Sequence, residues 1–327
     1  MVVNGMSASS NTSPSGSKVS RLPGDLIDPR ALMALDSLEL RARTVVRGVT
    51  TGLHRSPRHG FSVEFTEYRQ YTPGDDLRHL DWRVFGRTDR DYVRRFEDET
   101  NLRCHLVVDQ SRSMDLATQG VSKAAYGATL AATLAYFLQL QGDAVGLLTL
   151  DEAVREFIPA RCRPGHLRQL FQALERASSG HSTDLATALE RLADLVPRKG
   201  LVAVISDFLV PVEMLIPRLR RLAACGHEVV LFQVLDPAEL DFGFEQPTRF
   251  RDLETDQWIE LDPSTARAGY RERFGAHQSA LREACLNLGI AFHEADTRQP
   301  MERVLVSFLE QRQGARSRGV RGGEAMS

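Results

Sequence analysis

Asp109-Gln110-Ser111-Arg112-Ser113-Met114 places one carboxylate and two hydroxyls at alternate positions. On a tight loop such spacing can aim three oxygens at one point, which suits a hard cation such as Mg²⁺ or Mn²⁺. Serines at this kind of position also cap helices, so the spacing alone leaves both readings open. Two further sets favour the cation. One is Gly180-His181-Ser182-Thr183-Asp184-Leu185, with a hydroxyl and a carboxylate at the start of a helical stretch; the other is Ser206-Asp207, at the end of an apolar run.

Positioning these groups requires elements that deliver them to one edge. Past residue 101 the chain alternates short β-rich runs with long helical stretches: LRCHLVVD (102–109), AVGLLTLD (144–151), LVAVISD (201–207), HEVVLFQVLD (227–236) and IAFHEAD (290–296). That alternation predicts an α/β fold, a doubly wound, mostly parallel sheet flanked by helices. Each run ends in aspartate, and in an open parallel sheet ligands bind outside the carboxyl ends of the strands. Aspartate there also caps turns and helix starts, and Asp151 is set aside because DEAV (151–154) reads as the turn of a hairpin leading into REFIPA.

At this point the chain resembles a known family. Asp-x-Ser-x-Ser, then Thr-Asp-Leu, then a strand ending in Ser-Asp is similar to the metal-ion-dependent adhesion site of von Willebrand factor type A domains. GFSVEFTEYRQYTPGDDLRHLDWRVFGRTDRDYVRRFEDE (60–99) ahead of LVVDQSRSM (106–114) resembles, more specifically, the bacterial family called domain of unknown function 58, over about residues 30–310. The resemblance implies a magnesium-holding doubly wound sheet in proteins often linked to MoxR-type AAA+ ATPases. Carried over, it makes Ser111, Ser113 and Thr183 hydroxyl ligands, with Asp109 and Asp207 bound directly or through water. An ion so held keeps open positions that a partner's Asp or Glu can fill, with Arg112, Met114 and Phe208 expected on the rim. The expected function is therefore a non-enzymatic, metal-dependent protein-interaction module.

The rest of the chain bounds this reading. Its 327 residues, 42% hydrophobic and 26% charged, suffice for one large or two modest domains. With 41 Lys and Arg against 43 Asp and Glu, the net charge of −2 gives no global field for nucleic acid. The four scattered cysteines have no zinc-like spacing and read as buried, reduced thiols of a cytoplasmic protein. Residues 1–24 and 313–327 read as disordered tails, 25–100 as a family-specific segment packed on the main domain, and 101–312 as that domain.

In the 25–100 segment, Asp28 to about Gly52 reads as one helix and 61–71 as a strand. Two short β stretches around Thr255-Asp256 precede a helix over 263–288. Ala124 to Gly142 is uncharged for nearly a membrane span, but Leu130, Leu134, Phe137 and Leu138 share a face, which predicts a buried helix.

The run at 71–83 interleaves Asp75, Asp76 and Asp81 with Arg78 and Arg83, and reads first as an ion-paired network of unassigned role, with Trp82 as a packing residue. The rival reading makes Asp75, Asp76, Asp81 and Asp109 the ligands of a metal-dependent hydrolase. A hydroxyl-rich set fits two-metal chemistry poorly, and no nucleophile elbow, Walker A loop or His-Glu-x-x-His pattern occurs.

Overall fold

The structure, a computed structural model, describes residues 26–54, 67–70, 92–95, 102–176, 184–244, 248–251 and 258–323. The strands are β1 (Glu67–Gln70), β2 (Tyr92–Arg95), β3 (Arg103–Asp109), β4 (Ala144–Leu150), β5 (Val154–Arg161), β6 (Leu201–Ser206), β7 (Glu228–Leu235), β8 (Thr248–Arg251), β9 (Trp258–Leu261) and β10 (Ala291–Asp296). The helices are α1 (Pro29–Met33), α2 (Leu38–His54), α3 (Lys123–Leu140), α4 (His166–Leu174), α5 (Leu185–Leu195), α6 (Val212–Ala224), α7 (Pro237–Asp241), α8 (Pro263–Leu288) and α9 (Met301–Gly323).

Six strands form the central sheet in the order β10-β7-β6-β3-β4-β5. All pairs are parallel except β4 with β5, the hairpin expected at DEAV, which places an antiparallel strand on one edge. The doubly wound, mostly parallel sheet is therefore present. Chain order reverses between β3 and β6, so the crevice of this topology opens at their carboxyl ends.

Strand residues alternate between two cores. Leu106, Val108, Ala203, Ile205 and Phe232 face α2, α3 and α9, whereas Val107, Val202, Val204 and Leu231 face α5, α6 and α8. The uncharged segment becomes α3, whose Leu130, Ala131, Ala132, Leu134, Ala135 and Leu138 are all buried. A helix apolar nearly all round belongs in the middle of a domain. Among the described residues no helix is long and apolar enough to cross a membrane.

Three expectations need correction. Residues 28–52 form two helices, because Asp28 caps α1 through the Arg30 N–H at 2.7 Å and the Ser37 hydroxyl accepts the Leu40 N–H at 3.1 Å, starting α2 anew. The chain after Glu310 continues as helix to Gly323, since a helix already nucleated by packing propagates through good formers such as Gln311, Arg312 and Ala315. Finally, Cys104 and Cys285 are buried free thiols as expected, but Cys162 and Cys225 are exposed, each standing one residue past the end of an element, β5 and α6.

Candidate functional site

Asp109 ends β3 and Ser206 ends β6. Because Val108 pairs with Ile205 in a parallel register, the next residues on both strands emerge side by side at the switch point. The Ser206 hydroxyl donates to Asp109 Oδ2 at 2.6 Å, and the Ser111 N–H donates to Asp109 Oδ1 at 2.9 Å. Ser111 precedes a 3-10 turn over Arg112–Asp115, yet its hydroxyl makes no capping bond. It lies instead 3.1 Å from the Ser113 hydroxyl. The capping explanation of Ser111 therefore fails.

Met114 anchors this loop. It is fully buried, and a Cβ at Gly127 of α3 would stand 3.5 Å from its terminal carbon and 3.3 Å from Ile205. Burying such a side chain contributes roughly 1.5–3 kcal/mol, enough to hold a short loop in place.

Asp207 follows β6 and is buried. Its Oδ2 takes an ion pair from Lys123 Nζ at 2.8 Å, and Lys123 also reaches Glu239 Oε1 at 2.5 Å. Burial alone would lower the Lys123 pKa, but Asp207 and Glu239 outweigh it and hold the ammonium above its ordinary value. Asp109 has no such relief: burial first, then the nearby Asp207 charge, push it up to about 6. Two buried carboxylates and two adjacent hydroxyls thus share the crevice.

The connection leaving the site is held firmly. Phe208 adopts a left-handed backbone (φ 53°), costly for a bulky residue. Its N–H donates to Ser206 Oγ at 3.1 Å, its carbonyl accepts from His277 Nε2 at 2.8 Å, and the Asp207 carbonyl accepts from Gln233 Nε2 at 2.8 Å.

Of the expected ligands, Asp109, Ser111, Ser113 and Asp207 belong to this crevice. Thr183 lies outside the described residues; the adjoining Asp184 N–H donates to the Asp151 carbonyl at 3.2 Å, which ties the start of α5 to the end of β4, next to β3. The Asp184 side chain caps α5 through the Thr187 N–H. Asp75, Asp76, Arg78, Asp81, Trp82 and Arg83 also lie outside the described residues.

The expected rim is corrected. Met114 and Phe208 are both 0% exposed and pack in the two cores, so neither can meet a partner in this conformation; Arg112 is half-buried.

Sequence reasoning missed Lys123 and Glu239 altogether, and noted Ser206 without a role. Lys123 left one signal: a lysine opening a helix opposes the helix dipole, so its presence there asks for an anionic partner.

Among the described residues no group of three or more His, Cys, Asp or Glu is arranged to hold a metal. The donors present are instead hydroxyls with two carboxylates, all hard oxygens. Adjacent ligands of an octahedral Mg²⁺ stand about 2.9 Å apart when each bond is about 2.0–2.1 Å. The Ser111 and Ser113 hydroxyls, 3.1 Å apart, stand close to that spacing.

Residues 67–284 match the family described as protein of unknown function DUF58. An uncharacterized protein of Mycobacterium tuberculosis is 30% identical over 298 residues, covering 90% of this chain and 93% of that one. Among solved structures, the hypothetical protein BatB from Bacteroides thetaiotaomicron overlaps with TM-score 0.43 at 14% identity, covering 64% of this chain and 98% of its own. The VWA domain of SpRpn10 overlaps with TM-score 0.38 at 11% identity, covering 62% of this chain and 93% of its own. These two overlaps are partial, whereas the sequence matches run through both the strand bearing Asp109 and the one bearing Ser206, and on them the chain belongs to the DUF58 family.

Proposed function

We propose that this protein is a non-enzymatic protein-interaction module that docks an acidic partner residue at the β3/β6 crevice on a bound Mg²⁺ or Mn²⁺. The observation that carries the reading is the meeting of Asp109, Ser111, Ser113 and Ser206-Asp207 at the switch point, with Asp109 pushed up to about 6 by burial and by Asp207. Ser111 and Ser113 would hold the ion directly, Thr183 would join them by family resemblance, and Asp109 would balance its charge, with Asp207, already paired with Lys123, meeting the ion through water. The ion would supply a hard Lewis acid open to a carboxylate.

In place of Met114 and Phe208, the apolar rim falls to Leu209 and Met214, exposed by 43% and 48% just after β6. By family resemblance the partner is a MoxR-type AAA+ ATPase, with this chain as its adaptor. The hydrolase reading is less well supported. Among the described residues, the groups bonded to Asp109 are a backbone N–H and the hydroxyls of Ser206 and Ser111, none of them a base, and Lys123 is committed to two carboxylates.

Co-purification of the ATPase, with and without chelator, tests the reading. Binding should fall at least tenfold in chelator and in Ser113→Ala, while circular dichroism stays unchanged. Undiminished binding in chelator would remove the metal from the docking mode.

A further inference from the structure

Lys123 is 0% exposed and opens α3, where the helix dipole disfavours a cation. Enclosing an ammonium is tolerated only against well-placed anions. Its two anions come from different elements: Asp207 follows β6, 84 residues away, and Glu239 lies in α7, 116 residues away. Glu239 in turn accepts the Asp236 N–H at 2.8 Å, and the Asp236 carboxylate accepts the Thr118 N–H at 2.9 Å, which closes a ring of bonds around the segment joining the Ser111 loop to α3. Lys123 is thus fixed directly beside one of the two carboxylates of the crevice.

We infer that the Lys123 ammonium is a built-in cation of this site: it takes up the charge of Asp207, so that a divalent ion is held on the Asp109, Ser111 and Ser113 side alone, weakly, and keeps its attraction for an incoming carboxylate. The second half of that statement rests on the docking function proposed above; the first half does not.

Charge makes the case. Asp109, Asp207 and Glu239 with Lys123 carry two net negative charges, which one divalent ion cancels. Without Lys123 the loaded site would remain negative and repel a partner's carboxylate, while the freed Asp207 would bind the ion more tightly. Lys123 therefore trades metal affinity for an ion that can still accept a ligand.

The test titrates Mn²⁺ into the full chain by calorimetry, comparing wild type with Lys123→Met/Glu239→Gln. That double variant conserves net charge and roughly conserves volume, but leaves Asp207 without its ammonium. The expected result is Mn²⁺ binding at least tenfold tighter in the double variant, with a melting temperature that becomes more sensitive to chelator.

Affinities equal within twofold, or no binding by either protein, would overturn the inference. Binding by the double variant alone would uphold Lys123 as the resident cation and end the docking reading of the native site. Should the double variant fail to fold, Lys123→Gln, which can still donate hydrogen bonds to both carboxylates, is read by the same criteria.

Discussion

β7, beside β6, and β10, beyond it at the edge of the sheet, also deliver aspartates to the carboxyl edge, yet the chain itself saturates those carboxylates. Asp236 accepts from the Thr118 N–H and hydroxyl and from the Ala238 N–H, and completes a capping box with Glu239. Asp296 is forked by Arg298, whose Nη2 approaches Oδ2 at 2.6 Å. At the β3/β6 end Asp109 also has three donors, the Ser206 and Ser111 hydroxyls and the Ser111 N–H, but burial and the like charge of Asp207 outweigh them. The same sequence sign, a β run ending in aspartate, yields a structural cap at one end of the edge and an under-neutralised pair at the switch point.

The comparison is broken most forcefully at the saturated end. Asp236→Ala removes a buried acceptor with three donors, and should lower stability by about 4 kcal/mol in denaturant unfolding, while metal binding by the folded fraction is unchanged. Loss of metal binding without loss of stability would reverse the roles assigned to the two ends.

At the switch point the sign is opposite. Asp109 rises from its ordinary 3.8 to about 6 through burial and Asp207. The metal-free fold therefore holds this proton more tightly than the unfolded chain does. Stability from this group is fully present below about pH 4 and is lost as pH rises through 6, by at most roughly 3 kcal/mol. Asp109→Asn should flatten that pH dependence, leave the metal-free protein as stable as wild type or more so at pH 7, and abolish divalent-ion binding. Wild-type ion affinity should fall below about pH 6, where the proton competes. A variant that unfolds at pH 7 would show that Asp109 is structural, like Asp236.

The distinction between these strand ends was only partly legible in the sequence. Apolar runs ending in aspartate locate β3, β4, β6, β7 and β10, and the turn at 151–154 locates the antiparallel edge, because those signals are local. Which aspartate is saturated depends on partners far along the chain: Thr118 for Asp236, Lys123 for Asp207. The rim residues were misplaced for a related reason. Met114 and Phe208 stand in the connections just past β3 and β6, but these fold back so that both fill the cores, a tertiary outcome that no periodicity announces. The break between α1 and α2 was legible in Asp36-Ser37 as a cap, and was overridden by the apolar spacing on either side.

The smallest effect belongs to Asp296. Its Arg298 partner is 41% exposed, so Arg298→Ala should cost less than about 1 kcal/mol, shrink further in salt, and leave ion binding untouched. A larger loss would mean that Arg298 also braces Asp241, to which it bonds at 2.8 Å.

Calorimetric titration of Mn²⁺ into wild type, Asp109→Ala and Asp236→Ala bears most directly on the claim that the β3/β6 end alone is built for a ligand. About one ion per chain should bind to wild type and to folded Asp236→Ala, and none to Asp109→Ala. Equal binding by wild type and Asp109→Ala would contradict that claim.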